Sequence, residues 1–147
     1  MVYHGRKRKI RLSCGVVIAR NTPEGRRLLL LRAFRNWDFP KGMMERDETP
    51  FGAAVREVQE ETTLDDLDFK WGEEFIETGP YSRGKVARYY IALTRREDVS
   101  LPVNPEIGRP EHAEYRWVDI AEAMSMTTVR LSPVIEWATQ QFEQDIS

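Results

Sequence analysis

Two short apolar runs near the start of the chain predict a β-hairpin. Residues 11–19 are rich in β-branched and apolar side chains, and residues 27–33 contain four consecutive leucines in a run too short for a typical helix. The segment 21–25 between them contains proline and glycine, which are typical of a turn. We therefore predict two paired strands, followed by a loop over residues 34–46.

An amphipathic helix is predicted over residues 50–62. Thr49 is a favourable N-cap residue, and Pro50 suits the first helical position. Apolar residues then recur at i, i+3, i+4 and i+7, which places them on one helix face: Phe51, Ala54, Val55 and Val58.

The second half of the chain predicts further strands and two more helices. Strands are expected near 68–78, 85–94 and 114–118, with an irregular loop at 100–110 that contains three prolines. Asp119 is expected to cap a short helix over 120–126, and Ser132 to begin the last helix. Strands combined with a mid-chain helix predict an α/β (α+β) domain, with a mixed central sheet between helices, over residues 1–147.

Composition and charge narrow the class of protein without identifying it. The 147 residues are 41% hydrophobic and 31% charged, with a formal net charge of −2, so the overall charge does not favour a nucleic-acid or membrane binder. The exception is the basic run at 6–9, expected to be a flexible arm, with a phosphate or RNA contact as the alternative. No apolar stretch approaches the roughly 20 residues needed to span a membrane, and no secretory signal is recognised, so we expect a cytoplasmic protein. Cys14 is expected to be a small core residue and not a nucleophile.

The candidate chemistry lies on the predicted mid-chain helix. Successive helical residues are about 100° apart, so Glu57, Glu60 and Glu61 share one face, which flanks the apolar stripe. Three like charges at this spacing repel each other, and a divalent cation would remove the repulsion. Acidic helix faces are nevertheless common, so the glutamates alone do not identify a metal site.

The spacing around these glutamates is much more specific. Gly42 is followed after five residues by Glu48, and after seven more by Arg56-Glu57-Val58-Gln59-Glu60-Glu61 and then Leu64. This pattern resembles the signature of the Nudix hydrolases at every specified position except one. The resemblance implies an α/β/α sandwich and the hydrolysis of a nucleotide-type diphosphate linkage by water, with Mg²⁺ as cofactor and Mn²⁺ as a substitute.

The resemblance also implies roles for individual residues. Glu57, Glu60 and Glu61 correspond to metal ligands, one of which also helps to deprotonate the attacking water, and Gly42 corresponds to a backbone carbonyl ligand. Arg56 and Glu48 correspond to a pair that orients the glutamates, and Lys41 is expected to contact phosphate.

Thr63 is the one departure from the signature, which has glycine at this position. That glycine normally ends the helix in the left-handed conformation, where a β-branched residue costs about 1–2 kcal/mol. We therefore expect a stability cost or a remodelled turn at Thr63, without loss of activity.

Segments outside the signature resemble the diadenosine tetraphosphate hydrolase group. Residues 37–42 resemble its Trp-x-x-Pro-Lys-Gly sequence, residues 85–92 its strand that begins with a phosphate-binding lysine, and residues 111–117 its Glu-His-x-x-Tyr-x-Trp segment. This implies that Lys85 binds phosphate and that Glu111 is a fourth carboxylate near the metals. The remaining candidate substrate contacts are one basic residue and three aromatic residues, of which Tyr89 and Tyr90 point to opposite faces of a strand: Arg83, Tyr81, Tyr89 and Tyr90.

We predict from these features the asymmetric cleavage of a dinucleoside polyphosphate to a nucleoside triphosphate and monophosphate. The alternatives are an RNA 5′ pyrophosphohydrolase, served by the basic arm, and a diphosphoinositol polyphosphate or nucleotide-sugar hydrolase. A non-catalytic binding module with the same fold is an alternative of another class, against which the intact glutamates argue.

Overall fold

A long first strand, β1 (Arg11–Thr22), lies at the centre of the sheet in the computed structural model. The structure describes residues 11–144, so the prediction of a basic arm falls outside the described residues. The remaining elements follow in chain order: β2 (Gly25–Ala33), β3 (Asn36–Asp38), β4 (Lys41–Met43), α1 (Pro50–Thr62), β5 (Ile76–Thr78), a 3₁₀ turn (Ser82–Gly84), β6 (Lys85–Leu93), β7 (Val103–Asn104), β8 (Arg109–Pro110), β9 (Glu114–Val118), α2 (Ile120–Met126), a 3₁₀ turn (Val129–Leu131) and α3 (Ser132–Glu143).

The sheet is mixed and forked. One edge of β1 pairs in parallel with β6 along residues 11–19, and β5 extends the sheet beyond β6. The other edge pairs with β2 only at residues 19–22, while residues 13–15 pair with β4. The edge of β2 that pairs with β1 also pairs with β3, at residues 31–33. The opposite edge of β2 pairs with β9. Strands β3 and β4 therefore fill the fork where β1 and β2 separate.

Both faces of the sheet are covered by helices, which confirms the predicted α/β/α sandwich. Alternate side chains of β1, such as Val16 and Val17, point to opposite faces. One face packs against Ala54 and Val58 of α1, and the other packs against α2 and α3. Cys14 is fully buried among the residues on the α1 side, as predicted.

Helix ends are the best predicted local features. Helix α1 spans 50–62 as predicted, and the Thr49 hydroxyl accepts a hydrogen bond from the Gly52 N–H at 3.0 Å. Asp119 caps α2 in a reciprocal arrangement with Glu122, and the strand at 114–118 also has its predicted bounds. Among the described residues, no helix is both long and apolar enough to cross a membrane.

Four predictions about local structure were wrong. Residues 34–46 are not only a loop, because they contain β3 and β4. Residues 100–110 are not irregular throughout, because they contain the antiparallel pair β7 and β8. The strand expected over 68–78 is limited to β5, because the chain turns near Gly72 (φ +69°) and Asp68 forms only an isolated bridge to Leu93. The side chain of Val55 is 36% exposed, because the buried arc of α1 runs through residues 54, 58, 61 and 62 instead.

Candidate active site

A cleft of about 940 Å³ opens between α1, the fork strand β4 and the loop that precedes β9. Of the residues predicted from sequence, eight line this cleft: Lys41, Gly42, Arg56, Glu57, Glu60, Glu61, Lys85 and Glu111. Glu48 does not line the cleft itself and contacts it through the cleft-lining residues Arg56 and Glu45. The fold thus brings together residues that are up to 70 positions apart in the chain.

Gly42 sets the position of the Glu57 carboxylate. A Cβ atom added at Gly42 would lie 2.1 Å from Cδ and Oε1 of Glu57, far closer than atoms can approach. A side chain at position 42 and the observed Glu57 conformation therefore exclude each other. The Glu57 carboxylate therefore lies directly against the backbone of β4 at Gly42.

Arg56 holds the acidic residues in place through a network of hydrogen bonds. Its guanidinium forms a bidentate pair with Glu48, with N–O distances of 2.6 and 2.9 Å, and also donates to Glu57 at 2.9 Å and Glu60 at 3.1 Å. A further bond to the Met43 carbonyl, at 3.0 Å, ties this network to β4. The Arg56 pair lowers the pKa of Glu48 to about 2, so this carboxylate remains charged throughout the neutral range.

The three helix glutamates differ in exposure. The side chain of Glu60 is 59% exposed, that of Glu57 is 13% exposed, and that of Glu61 is only 5% exposed. Burial is the main cause that raises the pKa of both Glu57 and Glu61, and the charge of Glu111 raises the pKa of Glu61 further. Removing these carboxylates from water favours a shared proton or a bound cation over two unpaired charges.

Glu61 has an unsatisfied oxygen. Its Oε1 accepts a hydrogen bond from the backbone N–H of Lys41 at 3.3 Å, but its Oε2 is buried and has no partner among the described residues. A buried carboxylate oxygen without a partner is costly. A cation bound in the cleft would supply the missing partner.

The segment before β9 completes the acidic end of the cleft. Glu61, Glu111 and His112 each offer one ligand atom, and these atoms all lie within 4.8 Å of one another. Burial lowers the pKa of His112, so its imidazole is neutral at neutral pH. His112 was not among the residues predicted, although its position directly after Glu111 was a sequence signal that could have suggested it.

A second, smaller cleft adjoins the first and carries mostly positive charge. It is lined by Ser13, Lys41, Tyr81, Lys85, Val86, Ala87 and Arg130, so Ser13 and the two lysines line both clefts. Arg130 donates to the Tyr81 hydroxyl at 3.1 Å and to Asp38 at 3.2 Å, and its guanidinium lies 4.9 Å from the centre of the Tyr81 ring. Asp38 and Arg130 were also missed, because no local pattern marks them and 92 positions separate them in the chain.

Two of the predicted aromatic contacts need correction. Tyr89 is fully buried, packs edge-on against Phe39 and donates its hydroxyl to Asp38 at 3.1 Å. Tyr90 is 2% exposed and packs against Phe51 on the α1 side. Neither ring has a free face for a base, because both faces of this central strand are covered by helices. Arg83 is exposed on its 3₁₀ turn and lines neither cleft.

The donor set fits a hard divalent cation. Carboxylate oxygens are ligands that Mg²⁺ prefers, and four glutamates line the cleft: Glu57, Glu60, Glu61 and Glu111. The unpartnered Glu61 oxygen is the independent observation that favours a bound ion.

Comparison with known proteins agrees with this geometry. A family model described as the NUDIX domain matches residues 9–138 of the chain. The chain belongs to the Nudix family. The match includes residues 42–64, which carry the signature pattern and line much of the acidic cleft, and the chain is a Nudix hydrolase.

Relatives of this Nudix domain include enzymes of three kinds. The chain is 31% identical over 104 residues to the asymmetrical bis(5′-nucleosyl)-tetraphosphatase of Sus scrofa, and the match covers 67% of each chain. It is 29% identical over 130 residues to an RNA pyrophosphohydrolase of Methylococcus capsulatus, a match that covers 78% of this chain and 66% of the relative. It is also 31% identical over 105 residues to mRNA-decapping enzyme subunit 2 of Arabidopsis thaliana, of which it spans only 26%.

A solved structure supports the Nudix fold. The C. elegans Ap4A hydrolase, in a binary complex, superposes with a TM-score of 0.78 over 93% of this chain and 100% of that chain, at 20% identity. At this level of identity the similarity supports the fold alone.

Proposed function

We propose that this Nudix hydrolase cleaves a phosphoanhydride bond of a dinucleoside polyphosphate in a reaction that requires Mg²⁺. A substrate with four phosphates would give a nucleoside triphosphate and a nucleoside monophosphate. The observation that carries the proposal is the acidic cleft opening directly into a cationic one, with Lys41 and Lys85 lining both. This arrangement suits an extended polyphosphate whose cleaved bond lies at the carboxylates and whose remaining phosphates lie along the basic residues.

The acidic residues have the proposed role of holding the metal. Glu57, Glu60, Glu61, Glu111 and the carbonyl of Gly42 would bind Mg²⁺, with Mn²⁺ as a substitute. When bound, the ion would act as a Lewis acid that activates water and neutralises charge on the leaving phosphate. One of the helix glutamates accepts the proton of the attacking water.

The remaining residues have roles in orientation and substrate binding. Arg56 and Glu48 keep the glutamates in place through the bidentate pair, because a guanidinium fork can hold several carboxylate oxygens at fixed distances. Lys41 and Lys85 contact the phosphates. Tyr81 is the proposed aromatic contact for a base, since it is the only one of the three predicted tyrosines that lines a cleft. Arg83 has no contact that supports a role in binding.

A substrate panel with Mg²⁺ tests the proposal. Diadenosine tetraphosphate should be hydrolysed with a higher kcat/KM than triphosphorylated RNA, nucleotide sugars or diphosphoinositols. The proposal would be wrong if diadenosine tetraphosphate were the slowest of these substrates.

The variant Glu60→Gln tests the chemical role of the cluster. Its side chain is largely exposed, so the change should leave the fold intact while removing a metal ligand. We expect kcat to fall about 100-fold or more, because metal stabilisation of the transition state is worth several kcal/mol. Glu136→Gln is the matched control, because Glu136 is an exposed glutamate on α3, which covers the other face of the sheet. Equal activities of the two variants would contradict the assigned role.

One observation favours RNA 5′ pyrophosphohydrolysis as a second candidate function. Arg11 pairs with Lys85 across β1 and β6, and both residues line the acidic cleft. In the sequence, Arg11 lies two positions after the basic run at 6–9, and such a concentration of positive charge suits the phosphates of an RNA chain. In the same panel, a kcat/KM for triphosphorylated RNA above that for diadenosine tetraphosphate would favour this candidate.

A further inference from the structure

His112 lies at the end of the acidic cleft that Glu61 closes. The backbone N–H of Ala113 donates to the Arg32 carbonyl at 2.8 Å, which fixes this segment against β2 just before β9 begins. The His112 side chain is only 13% exposed, and among the described residues neither ring nitrogen forms a hydrogen bond. A neutral imidazole has one ring nitrogen with a free lone pair, and no described residue donates a hydrogen bond to that nitrogen of His112.

The distances suit a shared ion. Nδ1 of His112 lies 3.9 Å from Oε1 of Glu61, and a ligand atom of Glu111 completes a group within 4.8 Å. Ligands on opposite sides of an ion with bonds of about 2.1 Å are about 4.2 Å apart, so one ion can bind both Glu61 and His112. The three residues come from α1 and from the segment before β9, so an ion here would also join these two parts of the fold.

A second observation points to a ligand on the same Glu61 carboxylate. The Glu61 side chain is only 5% exposed. Its Oε2 atom has no hydrogen-bond partner among the residues that the structure describes. The nearby Lys41 backbone N–H uses only the other oxygen. The cluster thus contains a buried acceptor without a partner and a half-buried imidazole whose ring nitrogens form no hydrogen bond with the described residues.

We propose that His112 is a nitrogen ligand of a metal ion shared with Glu61 and Glu111. The inference rests on the proposed metal-dependent function and adds a property to it. The Gly42 end of the cleft offers only oxygen ligands, which suit Mg²⁺, whereas the His112 end offers a mixed set. Imidazole ligands favour transition ions over Mg²⁺, so this end binds ions such as Co²⁺ and Zn²⁺ in preference to Mg²⁺.

Pulsed electron paramagnetic resonance of the Mn²⁺-loaded protein tests the ligand directly, without substrate. A bound imidazole gives ¹⁴N hyperfine coupling to Mn²⁺, and labelling with ¹⁵N-histidine should replace it by ¹⁵N coupling. The chain has two histidines, so His4→Gln is a matched control for His112→Gln. We expect the coupling in the wild type and in His4→Gln, and its loss in His112→Gln.

Metal affinities measured by calorimetry provide the second readout. His112→Gln should weaken Co²⁺ binding at least about tenfold, since loss even of an outer-shell partner costs 10- to 100-fold. Mg²⁺ binding should weaken less than about threefold, because Mg²⁺ relies on the oxygen ligands that the variant keeps. Equal losses for the two ions would overturn the inference.

The outcomes separate this inference from the proposed function. Mn²⁺ binding without nitrogen coupling in the wild type would overturn the role of His112 and leave the metal-dependent hydrolase unaffected. Failure of the wild type to bind any divalent ion would overturn both. If His112→Gln did not fold, the labelled wild type and His4→Gln would still decide the question, because His112 is then the only imidazole left in the control.

Discussion

The size of one residue controls the geometry of the candidate metal-binding carboxylates. Gly42 has no side chain, and the Glu57 carboxylate occupies the space that a side chain would fill. The backbone of Gly42 has no positive φ, so its glycine is needed for space and not for conformation. Glycine at position 42 is therefore required by the site and not by the fold.

Gly42→Ala should therefore fold but bind metal more weakly. The added Cβ forces the Glu57 carboxylate away from the Gly42 backbone, and we expect Mg²⁺ affinity to fall at least about tenfold, as for other changes that misplace metal ligands. Calorimetry with Mg²⁺ and thermal unfolding in EDTA measure the two effects.

The control for this prediction is Gly72→Ala. Gly72 has open space around it but a φ of +69°, so alanine there should lower the free energy of unfolding by about 1 kcal/mol without altering metal affinity. Unchanged Mg²⁺ affinity in Gly42→Ala would contradict the account of the Glu57 position.

At the scale of elements, α1 serves the core and the cleft at once. Ala54 and Val58 pack against the sheet, Glu57 and Glu60 face the cleft, and Glu61 lies at the boundary between the two. The helix ends at Thr63, which has φ 63° and ψ 7° and donates its N–H to the Gln59 carbonyl. The left-handed conformation expected for a signature glycine is thus adopted by a β-branched residue.

Thr63→Gly should stabilise the protein by about 1 kcal/mol, because glycine adopts this conformation without the steric penalty that threonine incurs. Activity should not change, since Thr63 lines neither cleft. Urea unfolding of the wild type, Thr63→Gly and Thr63→Ala measures the effect.

Alanine at position 63 keeps the steric penalty and loses the hydroxyl that bonds the Thr62 carbonyl, so it should not be more stable than the wild type. A glycine variant as stable as the wild type, or less stable, would show that the conformation at Thr63 is not strained.

At the scale of the whole molecule, the parts that sequence predicted well are those fixed by local interactions. The ends of α1 and α2 depend on Thr49 and Asp119, which lie next to the helices that they cap. The signature likewise fixes its residues by spacing along one helix and one preceding strand. The pairing of Asp38 with Arg130, by contrast, depends on how the 3₁₀ turn Val129–Leu131 packs against the sheet, and no local pattern encodes that.

Burial was the other feature that sequence predicted poorly. Tyr89 and Tyr90 alternate as expected for a strand, but alternation does not reveal that both faces of the sheet are covered. The same limitation applies to Glu61, whose low exposure follows from packing beside Val58 and under the segment that carries Glu111. Its chemistry therefore emerges only from the assembled fold.

Burial of Glu61 couples metal binding to the stability of the whole protein. Its folded pKa is raised above the usual value of 4.5, so its favourable contribution is complete below about pH 4.5 and is lost as pH rises through the folded pKa. At about pH 8 and without metal, Glu61→Gln should be about 1–3 kcal/mol more stable than the wild type, because the buried carboxyl no longer has to ionise or hold a proton.

Excess Mg²⁺ should reverse this order by stabilising the wild type more than the variant, because binding to the folded state alone raises stability. Denaturant unfolding near pH 5 and pH 8, with EDTA or with Mg²⁺, measures both effects. A metal-free Glu61→Gln protein less stable than the wild type at the higher pH would contradict this account.

The fork between β1 and β2 has a consequence for how this protein can diversify. Val16 donates its N–H to the Pro40 carbonyl at 3.1 Å, and Met44 donates its N–H to the Leu12 carbonyl at 3.0 Å. The segment that carries Lys41 and Gly42 is therefore hydrogen-bonded at both ends to the central strand. Insertions there would disrupt the sheet itself. The turn at 79–84 and the segment at 101–110 border the clefts, and their described residues form no such backbone hydrogen bonds with β1. Substitutions or insertions there can therefore change the substrate while the hydrolytic centre stays the same.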